Sequence, residues 1–317
     1  GQEGQGVSSL EPVYEKAGMD RRWVDYFLES IVEQPCLAFN YAQAGQENSF
    51  TWSNMSKGLE MQIPILDSLR KENKIRVETL GESGAWFKEC FKVTPATAVT
   101  TLTDVRGEGN KTVWFNSRYY RAHLLWEKGT FRFRDIHLFD ESYKSAYLEK
   151  PGDGNQFLFY TLPVVDGFMW SEGLDRAGLR IVRLDKDGDK EELTLDHPVV
   201  TEIGKDTVVV SAEDSKGHAF KITFYETRFE VVALSKEADF SWALDLKAAA
   251  GKELPFTVIE DKAVNASFDG FNYVITCEKG HIRKPESGSD YVFRMFPSDQ
   301  EIVIDCTHGR LNCTHHT

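Results

Sequence analysis

Apolar positions recur with two different periods along this chain, and the change of period divides it. Trp23, Phe27 and Ile31 form one stripe and Val24, Leu28 and Val32 its neighbour, the i, i+4 spacing of an amphipathic helix. Asp20 stands at the N-cap, and Glu33-Gln34 end the pattern ahead of Pro35. Leu37 to Tyr41 reads as a short strand and Ala42 to Phe50 as a polar loop. Met55, Leu59, Ile63, Leu66 and Leu69 restore the helical spacing behind Ser53-Asn54-Met55-Ser56, whose hydroxyls and amide suit an N-cap. Pro64 inside that run predicts a kink or break near Gln62. Ile75 to Leu80 then reads as a strand, and Gly81-Glu82-Ser83-Gly84 turns the chain into a helix led by Ala85-Trp86-Phe87. Helix, strand and helix make one step of a parallel α/β sheet or barrel. In such folds ligands bind beyond the C-terminal ends of the strands, where Glu78 and Glu82 stand.

After Thr94-Pro95 the period falls to two. From about Ala98 to Asp305 short alternating runs follow one another, including Thr112–Phe115, Arg118–Trp126, Thr130–Leu138, Phe157–Leu162, Ala219–Tyr225 and Tyr273–Cys277. Lys128-Gly129, Asp187-Gly188 and Lys216-Gly217 are hairpin turns by composition. More than a dozen strands in about 200 residues suit a large two-sheet sandwich rather than a seven-stranded immunoglobulin domain. The fold class is α+β: a leader (1–18), a short α/β barrel-like segment (19–97) packed on a large antiparallel β-sandwich (98–305), and a tail (306–317). A closed (β/α)₈ barrel takes about 250 residues, so only its final piece has room ahead of the sandwich. The opening Gly1 to Gly6, with no initiator Met, reads as the start of a processed or truncated product.

Charge and cysteine content narrow the function classes. A formal net charge of −13 argues against nucleic acid and against an anionic membrane surface, and no apolar run reaches the roughly 18 residues of a membrane span. Five cysteines define no disulfide framework. Cys36 and Cys90 sit in apolar contexts that suggest buried thiols, while Cys306 and Cys313 are close enough to pair. The tail's Cys306-Thr307-His308 and Cys313-Thr314-His315-His316 match no structural zinc spacing. Asp185 to Glu192 hints at a calcium loop, but its Gly is misplaced for that motif and a hairpin turn fits better. There is no Gly-rich phosphate loop, GxSxG elbow or HExxH, and no cofactor or metal set is assigned.

Two groups of side chains carry candidate chemistry. Glu78 and Glu82 flank a strand-to-helix junction, as a glycosidase acid and base would; the alternative is that Glu82 simply occupies the first helical turn, where the dipole favours an anion. Strict alternation in the run Arg132 to Phe139 places Arg132, Arg134, Ile136 and Leu138 on one face and Phe133, Asp135, His137 and Phe139 on the other. Asp135 and His137 then project together as an acid/base couple or as two metal ligands. The alternative is a ladder in which Arg118 or Arg121 pairs with Asp135. Trp52, Trp86 and Trp114 are candidate sugar platforms, with a core role the stronger reading for Trp86.

Lys74 to Phe87, Val93-Thr94-Pro95, Asn116 to Arg121 and Arg134 to Asp140 together resemble the barrel-to-β-domain junction of a glycoside hydrolase family of gut Bacteroidetes. The barrels of that family look like relatives of polysaccharide-deacetylase and α-mannosidase types, and the resemblance covers about Thr51 to Tyr147. It implies an exported bacterial protein, periplasmic or secreted, that acts on an oligo- or polysaccharide. Glu78, Glu82, Asp135 and His137 are the acid/base candidates; Arg118, Tyr120 and Arg121, with Trp52 and Trp86, would bind substrate. The usual catalytic residues of such barrels come from early strands that this chain has no room for. The alternative function is therefore a non-catalytic carbohydrate-binding or structural β-sandwich module.

Overall fold

The computed structural model describes residues 20–44, 51–144, 148, 161–186, 190–235, 240–286 and 288–310. The fold is α+β, and the described residues contain three helices, of which the first packs on the first strand of a β-sandwich. The helices are α1 (Arg21–Val32), α2 (Trp52–Lys71) and α3 (Leu80–Cys90). Asp20 caps α1 by accepting from the Arg22 N–H, and Val24 and Leu28 are its buried positions, as the spacing predicts. The helix α2 runs through Pro64 without interruption and starts after Thr51, earlier than the Ser53 cap expected from sequence.

Ile75 to Thr79 forms no strand. A β-like run needs a neighbour to take its backbone groups, and none of the described strands lies beside it; Val77 is 60% exposed. Leu37 to Tyr41 likewise contributes only one isolated bridge, from Leu37 to Thr97. The segment ahead of the sandwich is thus helices and extended connections, held by a small aromatic cluster. Phe39 packs on Trp86, Phe87 and Phe91, and the Arg76 guanidinium lies 4.4 Å above the Trp86 ring. Trp86 is therefore a packing residue. The segment docks through the Tyr26 hydroxyl on the Thr103 carbonyl and the Leu37 N–H on Glu202.

The strands are β1 (Thr97–Thr101), β2 (Lys111–Asn116), β3 (Tyr120–Glu127), β4 (Thr130–Leu138), β5 (Leu162–Asp166), β6 (Gly178–Leu184), β7 (Lys190–Glu192), β8 (Asp196–Ile203) and β9 (Thr207–Glu213). They continue as β10 (Ala219–Phe224), β11 (Arg228–Ala233), β12 (Ser241–Lys247), β13 (Phe256–Ile259), β14 (Ala263–Phe268), β15 (Phe271–Lys279), β16 (His281–Arg283), β17 (Phe293–Phe296) and β18 (Glu301–Asp305). One sheet has ten strands in the order β1-β2-β3-β4-β6-β12-β17-β16, with β5 added beside β4 and β7 beside β6. The other has eight, β13-β14-β15-β18-β11-β10-β9-β8. The hairpin turn at Lys128-Gly129 is present with both residues at positive φ, the two-residue geometry whose twist matches the flanking strands. Asp187-Gly188 lies outside the described residues, although the strands it would join, β6 and β7, pair antiparallel.

Between the sheets lies an aromatic core. Phe115 of the larger sheet meets Phe224 of the smaller at 5.6 Å, and Phe133 meets Phe229 at 5.7 Å. The Asn116 to Arg121 corner ties the sheets together at this point. The wholly buried Tyr120 donates its hydroxyl to the carbonyls of Tyr225 and Arg228, Ser117 donates to the Glu226 carbonyl, and Arg118 pairs with the Glu226 carboxylate. Tyr120 and Arg118, expected from sequence to bind substrate, make these contacts between the sheets. No helix among the described residues is long and apolar enough to cross a membrane.

Cys306 is buried at the end of β18, and His308 beyond it packs against Asp140, so residues 306–310 belong to the folded body; the rest of the tail, with Cys313, lies outside the described residues. Cys90 is exposed and Cys36 half-buried, contrary to the apolar contexts of both. Burial pushes the Cys277 thiol up to about 11. In native protein a thiol-reactive dye at pH 7.5 is expected to label Cys90 and to leave Cys277 and Cys306 unmodified until denaturant is added. Mass spectrometry of the labelled peptides checks this, and native labelling of Cys277 at the rate of Cys90 would contradict it.

Candidate functional site

Glu78 and Glu82 stand on the surface at the start of α3. Glu82 completes a capping box with Thr79: its carboxylate accepts from the Thr79 N–H at 2.8 Å and from the Thr79 hydroxyl at 2.9 Å. Those bonds hold its pKa below the usual carboxylate range. Glu78 accepts from the Ser83 hydroxyl and pairs with Arg76. No hydrogen bond or ion pair joins either glutamate to Asp135 or His137. Glu82 lies in the first turn of α3, and Glu78 stands just ahead of the Thr79 cap. Trp52, 67% exposed, lies in the first turn of α2.

Asp135 and His137 do project together, but with different neighbours from those alternation predicts. Phe133 pairs with Leu124 and Asp135 with His123, which leaves Arg134 as an extra residue, a β-bulge in β4. The bulge reverses the faces beyond it. Phe131, Phe133, Ile136 and Leu138 all point into the inter-sheet core, so Asp135 and His137 point to the opposite side. A second irregularity, on β5, leaves Val164 extra between Pro163 and Val165. It brings Asp166 directly opposite Asp135 on the neighbouring strand.

The outcome is a row of polar side chains across three strands, each about 95% buried: His123 on β3, Asp135 on β4 and Asp166 at the end of β5, with His137 one pleat along. The His123 ring stacks on Trp114, centroids 3.9 Å apart, so Trp114 serves as its wall. His123 Nδ1 lies 3.2 Å from Asp135 Oδ2, and its Nε2 lies 2.6 Å from the Thr112 hydroxyl. Burial holds His123 below its ordinary pKa. With an ionised Asp135 as acceptor, the neutral ring carries its proton on Nδ1 and accepts from Thr112 at Nε2.

The turn after β5 closes over the carboxylates. The Gly167 N–H donates to Asp135 Oδ1 at 3.1 Å, and the N–H groups of Phe168 and Met169 donate to Asp166 Oδ1 at 2.9 and 2.7 Å. Gly167 is required by closeness: a Cβ there would come within 2.6 Å of the Arg134 carbonyl oxygen on the bulge. Arg134 reaches over to pair with Asp135 at 2.6 Å. Burial alone would raise the Asp135 pKa, but the His123 hydrogen bond and the Arg134 charge outweigh it and hold the carboxyl at about 2. Asp166 is also held below the usual range, against its burial, chiefly by His137. A glycosidase needs one carboxyl kept protonated, and both of these are held ionised.

One part of this cluster is unsatisfied. His137 Nδ1 lies 2.7 Å from the Thr161 hydroxyl, but its buried Nε2 makes no hydrogen bond, although Asp166 Oδ2 is only 3.4 Å away. One atom each from Asp135, His137 and Asp166 fall within 4.8 Å of one another, a spacing that can hold a metal ion. Arg121 stands opposite His137 in register, and its buried Nε also lacks a hydrogen bond.

A cleft of ≈ 680 Å³ opens on the same sheet. The connection that covers Asp135 and Asp166 supplies one wall, Leu174, Asp175 and Arg176; β6 and β7 add Arg180 and Glu192, and Lys247, Asp290 and Tyr291 come from beside β12 and β17. Arg180 pairs with Glu192, and Lys247 lies 3.3 Å from Asp290. Arg176 is exposed. On β12, two residues before Lys247, the wholly buried Asp245 is gripped by Arg294 through both carboxylate oxygens at 2.5 and 2.8 Å.

Sequence reasoning missed His123, Asp166 and the Asp245–Arg294 pair. Each was signalled by a lone charged or imidazole side chain inside an apolar strand: Ala122-His123-Leu124, Val165-Asp166-Gly167, Leu244-Asp245-Leu246 and Phe293-Arg294-Met295. Such residues are rarely buried without a partner. No protein-family model matches this chain, and no curated protein or solved structure does either.

Proposed function

We propose that this chain is a non-hydrolytic, glycan-binding β-sandwich module of a bacterial carbohydrate-active protein, and that the cleft beside Arg176 and Tyr291 is where an oligo- or polysaccharide lies. The observation that carries the reading is the cleft's lining. Arg176, Arg180 and Lys247 are balanced by Asp175, Glu192 and Asp290. Alternating fork donors and carboxylate acceptors suit the hydroxyls of an uncharged polyol, whereas a polyphosphate needs an excess of cations. The Lys190 ammonium and the Arg294 guanidinium both lie against the Tyr291 ring, which forms part of the wall. The acid/base candidates support the non-hydrolytic part: Glu82 is bound in a cap, Glu78 pairs with Arg76 on the surface, and Asp135 and His137 belong to a buried polar cluster. Export to the periplasm or beyond belongs to the same proposal and rests on the resemblance at the domain junction.

A glycan array, followed by affinity electrophoresis on the polysaccharides that score, tests this. Binding without release of product from chromogenic glycosides is the expected result. Arg176→Ala should weaken binding roughly tenfold or more, the loss of one charge-assisted hydrogen bond. Turnover abolished by Glu82→Gln or Asp135→Asn would overturn the non-hydrolytic reading, and binding indifferent to Arg176→Ala would remove the cleft from it.

A further inference from the structure

We propose that Asp135, His137 and Asp166 bind a divalent transition-metal cation of the zinc type, which fastens the β4 bulge to the end of β5. The inference goes beyond the glycan-binding reading and does not depend on it.

Three observations lead here. The first is charge. Asp135 and Asp166 face each other in register on adjacent strands, both about 95% buried, and like charges so placed repel. Arg134 pairs with Asp135, while among the described residues the one ion-pair contact of Asp166 is the His137 ring at 3.4 Å. A divalent cation between the carboxylates removes that imbalance.

The second is the orphaned nitrogen. His137 Nε2 is buried and unbonded in a place where a polar atom without a partner costs free energy. Placing the ring proton on Nδ1, where the Thr161 hydroxyl accepts it, leaves Nε2 as a bare lone pair pointing into the cluster. That is the form in which imidazole binds a metal, with its second nitrogen anchored.

The third is spacing. Two ligand atoms bound at about 2.1 Å to a tetrahedral zinc lie about 3.4 Å apart, and His137 Nε2 and Asp166 Oδ2 are separated by 3.4 Å. The Asp135 atom of the triad lies within 4.8 Å of both. One imidazole with two carboxylates is a borderline donor set that favours zinc and its first-row neighbours over calcium or magnesium. The supporting bonds of a metal site are also present. Asp166 Oδ1 accepts two backbone N–H groups and Asp135 Oδ1 a third, and His123 orients Asp135 from the next strand.

The test uses the full chain, loaded with zinc chloride and passed through gel filtration. Inductively coupled plasma mass spectrometry should then find about one zinc per chain, and a chelator should lower the melting temperature reversibly. His137→Gln and Asp166→Asn should abolish retention. A variant carrying Cys313→Ser, His315→Ala and His316→Ala should keep the metal, which excludes the tail as its ligand. Should the core variants fail to fold, cobalt substitution of the wild type decides: the proposal requires visible ligand-field bands without a thiolate charge-transfer band. Substoichiometric zinc after loading, retention unchanged by both core variants, loss on altering the tail, or a thiolate band would each overturn it. Glycan binding is read on separate samples, so either proposal can fail alone.

Discussion

Replacing Arg294 by alanine is expected to destabilise the fold by about 3–5 kcal/mol, the cost of leaving one member of a buried ion pair uncompensated. Asp245 is wholly buried in β12, and both of its oxygens are held by Arg294 from β17. In register it also stands opposite Arg180 on β6, and the Lys190 ammonium lies 3.2 Å away. Removing Arg294 leaves Lys190 as the nearest cation, on a long side chain already shared with Asp290. Urea denaturation monitored by tryptophan fluorescence measures the loss. A second variant separates the pair's net contribution from the penalty of breaking it. Asp245→Leu combined with Arg294→Met should recover most of the stability, because an apolar pair of similar volume requires no desolvation. A loss below about 1 kcal/mol for Arg294→Ala would mean that water reaches Asp245.

Asp135→Ala should cost about 3 kcal/mol or more, since it strips partners from three donors at once. The Gly167 N–H, the Arg134 guanidinium and the His123 ring all converge on that carboxylate. Asp135→Asn keeps one acceptor oxygen and the side-chain shape, so its loss should be clearly smaller. Both are measured by denaturation on protein dialysed against a chelator, which separates the hydrogen-bond network from any bound metal. Equal losses for Ala and Asn would show that charge, rather than the count of acceptors, dominates. Neither substitution is expected to disturb the wall of the cleft formed by Lys247 and Tyr291, which comes from other strands.

These two buried networks explain why the chemistry was only partly legible along the chain. Asp135 and His137 could be picked out two residues apart on one strand, and their common projection followed from the pleat. Their partners could not. His123 is brought in by the β3–β4 hairpin, and Asp166 comes from a strand far along the chain. The residue that decides which side all of them face is Arg134, whose extra place in β4 inverts the alternation. A bulge leaves no mark in the apolar–polar pattern beyond a pair of charged neighbours, so period two runs through it undetected. Residues 75–82 show the opposite failure. Thr79-Leu80-Gly81-Glu82 carries the sequence signature of a capping box, yet the β-branched residues ahead of it also suit a strand, and the pattern reads as a strand in place of the cap.

Local physics, then, was enough to define the helix at Arg21–Val32, the existence though not the start of the one at Leu80–Cys90, most strands of the sandwich and the Lys128-Gly129 turn. Each follows from spacing, capping or turn chemistry within a few residues. Tertiary structure alone decided that Ile75 to Thr79 stays unpaired, that Tyr120 and Arg118 lock two sheets together, and that Asp135 meets Asp166. A strand exists only where another strand accepts its backbone bonds, and a buried charge persists only where distant residues supply its counter-charges. Both conditions are satisfied across the chain rather than along it.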